Sequence, residues 1–229
     1  MPDLPKLPAR ALLRDAFRDL VRAPFALLLG LSILATLATA PLEAEVDATA
    51  LLGTVIAGVI SAYVSIAITL AAAEPHPKSS AEHWIRQAFQ RRCFWRSTIA
   101  NLFAVVLVAA GLIALIVPGF IVGAAVAFAL TGAVLENLRP GDAIRRSIET
   151  SRPARRAVGF IYGVLIIVPT VGVQASFYFL GDDDKWIWTS LGCVALILTM
   201  AAQIALARAF LALGGRVLPR TPSSPLGRR

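Results

Sequence analysis

Apolar residues in this chain come in blocks of roughly twenty, and nearly every charge lies between the blocks. A hydrocarbon layer about 30 Å thick takes about 20 helical residues at 1.5 Å each. A soluble all-helical core would instead show one apolar stripe per helix and about 25% charged residues. Here only 16% are charged, and the mean hydropathy is +0.73. The chain therefore reads as an all-α polytopic membrane protein. Six spans are expected, at about 24–41, 48–73, 98–117, 119–137, 157–180 and 186–210. They form one integral membrane domain over residues 1–215, and residues 216–229 read as a flexible basic cytoplasmic tail.

The connections sort by charge. PLEAEVD (41–47) and GDDDK (181–185) are short and acidic. Pro118-Gly119 reads as a tight turn, since proline lacks a backbone donor and glycine tolerates the bend. Lys6, Arg10, Arg14, Arg18 and Arg22 precede the first span, and Lys78, Arg86, Arg91, Arg92 and Arg96 separate the second from the third. Arg139, Arg145, Arg146, Arg152, Arg155 and Arg156 separate the fourth from the fifth, and Arg208, Arg216, Arg220, Arg228 and Arg229 close the chain. Of the 22 lysines and arginines only Lys185 falls on the other side. The positive-inside rule makes the basic side cytoplasmic, with both termini there. A cleaved signal core at 25–40, ending in Ala38-Thr39-Ala40, is the alternative for the first span. The segment before it is long for a signal and is patterned as a helix, which favours a retained span.

LLRDAF (12–17), WIRQAF (84–89) and AIRRSI (143–148) align without gaps. Each places apolar or small residues at i, i+1, i+4 and i+5, one stripe of a helix. Asp15 and Asp19 are spaced to pair with Arg18 and Arg22. Ser79-x-x-Glu82 has the form of a capping box. The repeating unit is an amphipathic elbow helix followed by two spans, three times over, with all units pointing the same way. Independent convergence on a common amphipathic pattern is the competing account. Such helices bury an apolar stripe at the membrane surface and hold basic groups toward the headgroups. Arg14, Arg18, Arg86, Arg91, Arg145, Arg146 and Arg152 are the candidate lipid-headgroup contacts, anionic lipid being the expected partner. In the third copy Pro140-Gly141 is expected to turn the chain, with residues 142–151 on the inner leaflet.

Residues 116–156 carry an ordered set of features: Pro118-Gly119 between two spans, Glu136 closing the second, Pro140, then Ala143-x-x-x-Ser147 in a basic helix. This run resembles the membrane domain attached to some glycerophosphoryl diester phosphodiesterases, and related six-span bacterial inner-membrane proteins of unknown function. The chain departs from that pattern at Ile148, where an aromatic is usual, and at Pro153, where glycine is usual. It also has fewer aromatics near Arg155 and Arg156. A phosphodiesterase barrel of roughly 250 residues has no room beside six spans here. The resemblance thus implies bacterial inner-membrane residence and no known activity.

Catalytic motifs are missing: the sequence has no HExxH, GxSxG or P-loop. Cys93 and Cys193 are no disulfide framework, and His76 and His83 read as loop residues without a metal-ligand spacing. No metal, cofactor or enzymatic activity is expected. Asp182, Asp183 and Asp184 read as a solvated acidic turn, as do Glu43, Glu45 and Asp47. Glu136 and Arg208 are the charges set nearest the hydrocarbon and are the candidate ion pair, with separate snorkelling as the competing account. Tyr63, Asn101, Gln174 and Gln203 are the candidate cavity-lining residues, though interhelical packing explains such polar groups as well. The expected function is non-enzymatic, lipid-organising or regulatory, acting through a basic cytoplasmic collar. A membrane-protein partner or a second copy is an expected possibility, and nucleic acid is not expected. The alternative is a transporter or lipid-translocating protein with a cavity between the hairpins.

Overall fold

The computed structural model describes residues 8–39, 48–77, 80–91, 93–114, 116–173 and 185–218. The acidic connections 41–47 and 181–184, together with Lys78, Ser79, Arg92, Gln174 and the last eleven residues, lie outside them. Among the described residues every regular element is helical. The chain runs α1 (Ala9–Leu20), α2 (Phe25–Thr39), α3 (Ala48–Ala72), α4 (Ala81–Gln90), α5 (Phe94–Ala114), α6 (Ile116–Val126), α7 (Ala129–Leu135) and α8 (Pro140–Ser151). After a 3-10 turn (Arg152–Ala154) come α9 (Arg155–Tyr162), a π-helical stretch (Gly163–Ile167) and helical residues 168–173. The last helix is α10 (Lys185–Ala212). Five helical stretches are long and apolar enough to cross a membrane, or six if α1 and α2, bent by 73°, count as one.

Burial is concentrated at the end of the bundle where the arginines lie. Val64 and the run Ile66–Ala72 of α3 are buried, as are Met200–Ala202, Ile204–Ala207 and Ala209–Phe210 of α10. Trp84 and Ala88 of α4, Ala16 and Leu20 of α1, Phe25 and Leu28 of α2, Val134 and Leu135 of α7, and Val158 and Ile161 of α9 belong to the same core. The other halves of the long helices are open: Leu31 and Leu34 of α2, Val55 and Val59 of α3, and Leu102, Phe103, Val105, Val106 and Leu107 of α5 are exposed. A soluble protein rarely shows so extended an apolar face. Hydrocarbon is a suitable solvent for it, which fits a membrane-embedded chain.

α5 ends at Ala114 and α6 begins at Ile116, so Pro118-Gly119 lies inside α6 and is not the turn between them. Pro118 sits in the first turn of α6, where its missing N–H needs no partner. Gly119 lets the two helices close: a Cβ there would lie 2.8 Å from the Leu112 backbone nitrogen, and one on Gly111 would lie 2.9 Å from the Gly119 Cα.

The fourth apolar run breaks at Ala127-Phe128, between α6 and α7. The groups freed by the break are met by α8. The Phe128 N–H donates to Ser147 Oγ at 2.9 Å, and Ser147 Oγ donates to the Ala125 carbonyl at 2.8 Å. Ser151 Oγ reaches the same carbonyl at 3.4 Å. A helix can break among apolar neighbours only if such groups find partners. The small stripe Ala143, Ser147, Thr150 and Ser151 is consequently buried against the protein.

Two helix starts differ by a residue or more from expectation. Ser80 caps α4, its Oγ accepting from the His83 N–H at 3.4 Å, whereas Ser79 is outside the described residues. His83 is therefore helical, and it is hydrogen-bonded to Gln87 at 3.1 Å. Pro140 opens α8 as its first residue, so the chain turn lies before it, at Asn137, whose φ is 52°. Asparagine tolerates that left-handed geometry better than most residues.

Replacing Ser147 by alanine is expected to orphan the Phe128 N–H and cost about 1–3 kcal/mol. Unfolding free energy in mild detergent checks this. A change under about 0.5 kcal/mol would mean that packing alone holds the break.

Candidate functional site

The four residues Val134, Leu135, Glu136 and Asn137 close α7, and each binds a different part of the chain. Arg91 Nη1 donates to the Val134 carbonyl at 3.3 Å. The Leu218 N–H donates to the Leu135 carbonyl at 3.0 Å. Arg96 Nη1 donates to the Asn137 carbonyl at 3.3 Å and to its Oδ1 at 3.1 Å. A helix end leaves carbonyls without partners and carries partial negative charge, so arginines are suited to it on both counts.

Glu136 is at the centre. Its side chain is only 10% exposed. It accepts from Arg146 Nε at 3.1 Å and Nη2 at 3.3 Å, and from the Arg216 N–H at 3.0 Å. A carboxylate so far out of water needs opposite charge and several donors, and a two-pronged guanidinium supplies both. Arg146 also donates to the Gly214 carbonyl at 3.2 Å, which ties α8 to the segment after α10.

That segment returns to α7 because α10 ends in a Gly-Gly stop. The Gly214 N–H donates to the Leu211 carbonyl at 3.2 Å, and the Gly215 N–H donates to the Phe210 carbonyl at 2.9 Å. Gly214 has φ 94°, which glycine adopts without strain. The paired bonds are a Schellman motif. Arg216 and Leu218, assigned by the sequence to a flexible tail, are thereby held across the end of α7.

The expected Glu136–Arg208 pair is replaced by two separate ones. Arg208 Nη2 lies 2.5 Å from Asp19 Oδ2, joining α10 to α1, and Arg22 reaches the other Asp19 oxygen at 3.4 Å. Each charge takes a partner presented by an amphipathic helix at its own level, Arg146 for Glu136 and Asp19 for Arg208. The Asp19–Arg22 spacing behaves as expected, while Asp15 lies beside Arg14 at 3.7 Å and not Arg18.

The seven candidate headgroup arginines divide. Arg91 and Arg146 turn inward to the end of α7, because a half-buried carbonyl and a carboxylate offer them stronger partners than the surface does. Arg14, Arg18, Arg86, Arg145 and Arg152 are exposed. Arg86 pairs with Glu82 at 2.7 Å and Arg145 with Glu149 at 3.1 Å, surface pairs of the kind worth about 0–1 kcal/mol.

The candidate cavity residues have three separate surroundings. Tyr63 stacks between Phe89 and Phe94, with ring centroids 4.0 and 4.5 Å away. Asn101 is exposed on α5. Gln203 Nε2 donates to Ser65 Oγ at 3.0 Å across α10 and α3. Gln174 lies outside the described residues. Tyr63 and Gln203 act as packing and interhelical hydrogen-bond groups of the ordinary kind.

Cys93 is fully buried in the segment before α5. That burial pushes its thiol up, outweighing the opposite pull of Arg91 and Arg96. Cys93 is thus a packed core thiol, shielded from solvent.

Sequence reasoning missed one feature that α6 and α9 bring together. GFIVG (119–123) and GFIYG (159–163) are nearly the same pentapeptide. Their glycines receive each other's rings: Phe120 fills the notch at Gly163, and a Cβ on Gly123 would lie 3.0 Å from the Tyr162 ring. Gly159 backs onto Ala124, with 3.1 Å between its would-be Cβ and the Ala124 Cβ. The duplicated glycine spacing was the available signal. It is a known device for close helix approach.

No family model, curated protein or solved structure matches this chain.

Double-mutant cycles separate the two pairings. Glu136→Gln with Arg146→Gln is expected to show a coupling of about 1–3 kcal/mol in unfolding free energy, and Glu136→Gln with Arg208→Gln to add within about 0.5 kcal/mol. The reverse ranking would restore the Glu136–Arg208 pair.

Proposed function

We propose that this is a non-enzymatic multi-pass protein of a bacterial inner membrane that organises anionic lipid, or regulates a membrane partner, through a basic cytoplasmic collar. Three units make the collar, each an amphipathic elbow helix followed by a hairpin of two spans, with both ends of the chain on the cytoplasmic side. The resemblance of residues 116–156 to the phosphodiesterase-linked membrane domains belongs to the same proposal.

One observation carries the reading. In α1, α4 and α8 the aligned positions share their exposure. The small residue is fully buried in each: Ala16, Ala88 and Ser147. The arginine two positions before it points outward, with Arg14, Arg86 and Arg145 side chains 80%, 69% and 83% exposed. The apolar residue one position after it, Phe17, Phe89 or Ile148, is at the surface. An outward arginine beside an outward apolar side chain is the pairing that a headgroup boundary favours, the one reaching phosphate and the other acyl chain. Trp95, strongly exposed at the start of α5, suits the same interface. Packing of α2 along α3 and of α5 along α6 supports the hairpins.

Reconstitution in phosphatidylcholine vesicles, with and without phosphatidylglycerol, tests the collar. Anionic lipid is expected to raise stability. The triple variant Arg14→Gln, Arg86→Gln, Arg145→Gln should lose about 3 kcal/mol of that gain at most, at about 1 kcal/mol per basic group. Equal stability of the unsubstituted protein in both membranes would end the lipid reading.

A further inference from the structure

Beside the crossing of α6 and α9 runs an open cleft of about 430 Å³, within the roughly 300–1,000 Å³ typical of ligand sites. Phe120, Ile121 and Ala124 form one wall, and Gly159, Phe160 and Val164 form the other. Its lining is apolar except at one end, where Arg155 and Arg156 stand. From Arg155 to Val164 the helix rises about 13 Å, so the basic end and the apolar floor are well separated along the same groove.

The cleft differs from the collar in two respects. Arg155 and Arg156 are exposed and have no ion-pair or hydrogen-bond partner among the described residues, unlike Arg86 and Arg145 with their glutamates. The cleft also runs beside a close helix contact, where a Cβ on Gly159 would meet the Ala124 Cβ at 3.1 Å. Two exposed arginines at the rim of an almost wholly apolar cleft match one chemistry, a negatively charged headgroup on an acyl chain.

We propose that the α6–α9 cleft is a binding site for a single anionic phospholipid, its phosphate held by Arg155 and Arg156 and one acyl chain lying between Phe120, Ile121, Phe160 and Val164. The proposal rests on membrane residence with this end at the headgroup level, and it adds a discrete site to the general attraction of the collar. The two exposed arginines offer the phosphate charge-assisted hydrogen bonds at the mouth of the cleft. The apolar channel supplies a second, uncharged part of the binding.

Native mass spectrometry of the whole protein in mild detergent, titrated with phosphatidylglycerol or with phosphatidylcholine of the same chains, tests the site. One phosphatidylglycerol is expected to be retained at least tenfold more tightly than phosphatidylcholine, and inorganic phosphate in millimolar excess should not displace it. Arg155→Gln with Arg156→Gln should remove that preference. Ile121→Trp, which fills the channel from an exposed position and leaves the arginines in place, should weaken both lipids. Arg86→Gln with Arg145→Gln should leave the tight lipid bound. Retention unchanged in the Arg155/Arg156 variant would overturn the site. Equal loss in the Arg86/Arg145 variant would also overturn it, leaving only the collar's diffuse attraction. No preference for phosphatidylglycerol in the unsubstituted protein would overturn both.

Discussion

A carboxylate withdrawn from water has to be met by charge and donors where it stands, and at Glu136 that requirement organises one end of the molecule. The Arg146 guanidinium comes from α8, and the Arg216 N–H comes from beyond α10. Arg91 and Arg96, which flank the buried Cys93, bind the residues on either side. Segments far apart in sequence thus converge on Val134–Asn137. Several contacts satisfy the negative end of α7 and draw Arg91 and Arg146 partly out of the surface. The densest packing of α3 and α10 lies at the same basic end of the bundle. The molecule is anchored there and open toward the other end, among the described residues.

The break at Ala127-Phe128 belongs with this arrangement. α7 is short and is set by its two ends: Ser147 meets the freed groups at its start, and Glu136 and its partners hold its finish. Both supports come from α8, through the neighbouring residues Ser147 and Arg146, which the helix points about 100° apart. α8 is thereby a structural strut as well as a candidate membrane-surface helix. Its outward side, with Arg145 and Ile148, keeps the features shared with α1 and α4.

Much of the architecture was legible in the sequence for a simple reason. Span length and apolar content are set by hydrocarbon thickness, and the i, i+1, i+4, i+5 stripe is set by helix geometry. Those are local rules, and the helices at Ala9–Leu20, Ala81–Gln90 and Pro140–Ser151 follow them. Pairing is not local. Glu136 and Arg208 both looked short of a partner, but Arg146 and Asp19 become available to them only once α8 and α1 are folded against the bundle. Turn positions shifted for a related reason: proline starts helices as readily as it ends them, so Pro118 and Pro140 each mark a first turn. The paired GFIVG and GFIYG pentapeptides were readable as a repeat, yet their meaning depends on α6 crossing α9.

The central claim is that Val134–Asn137 acts as one cooperative tie, with Glu136 as its keystone. Hydrogen exchange followed by mass spectrometry, comparing Glu136→Ala with the unsubstituted protein in the same detergent, tests it most directly. Loss of the carboxylate is expected to speed exchange together in the peptides carrying Arg91 and Arg96, in Ala143–Ser151 and in Gly214–Leu218. Faster exchange in Gly214–Leu218 alone, with the other two unchanged, would contradict it.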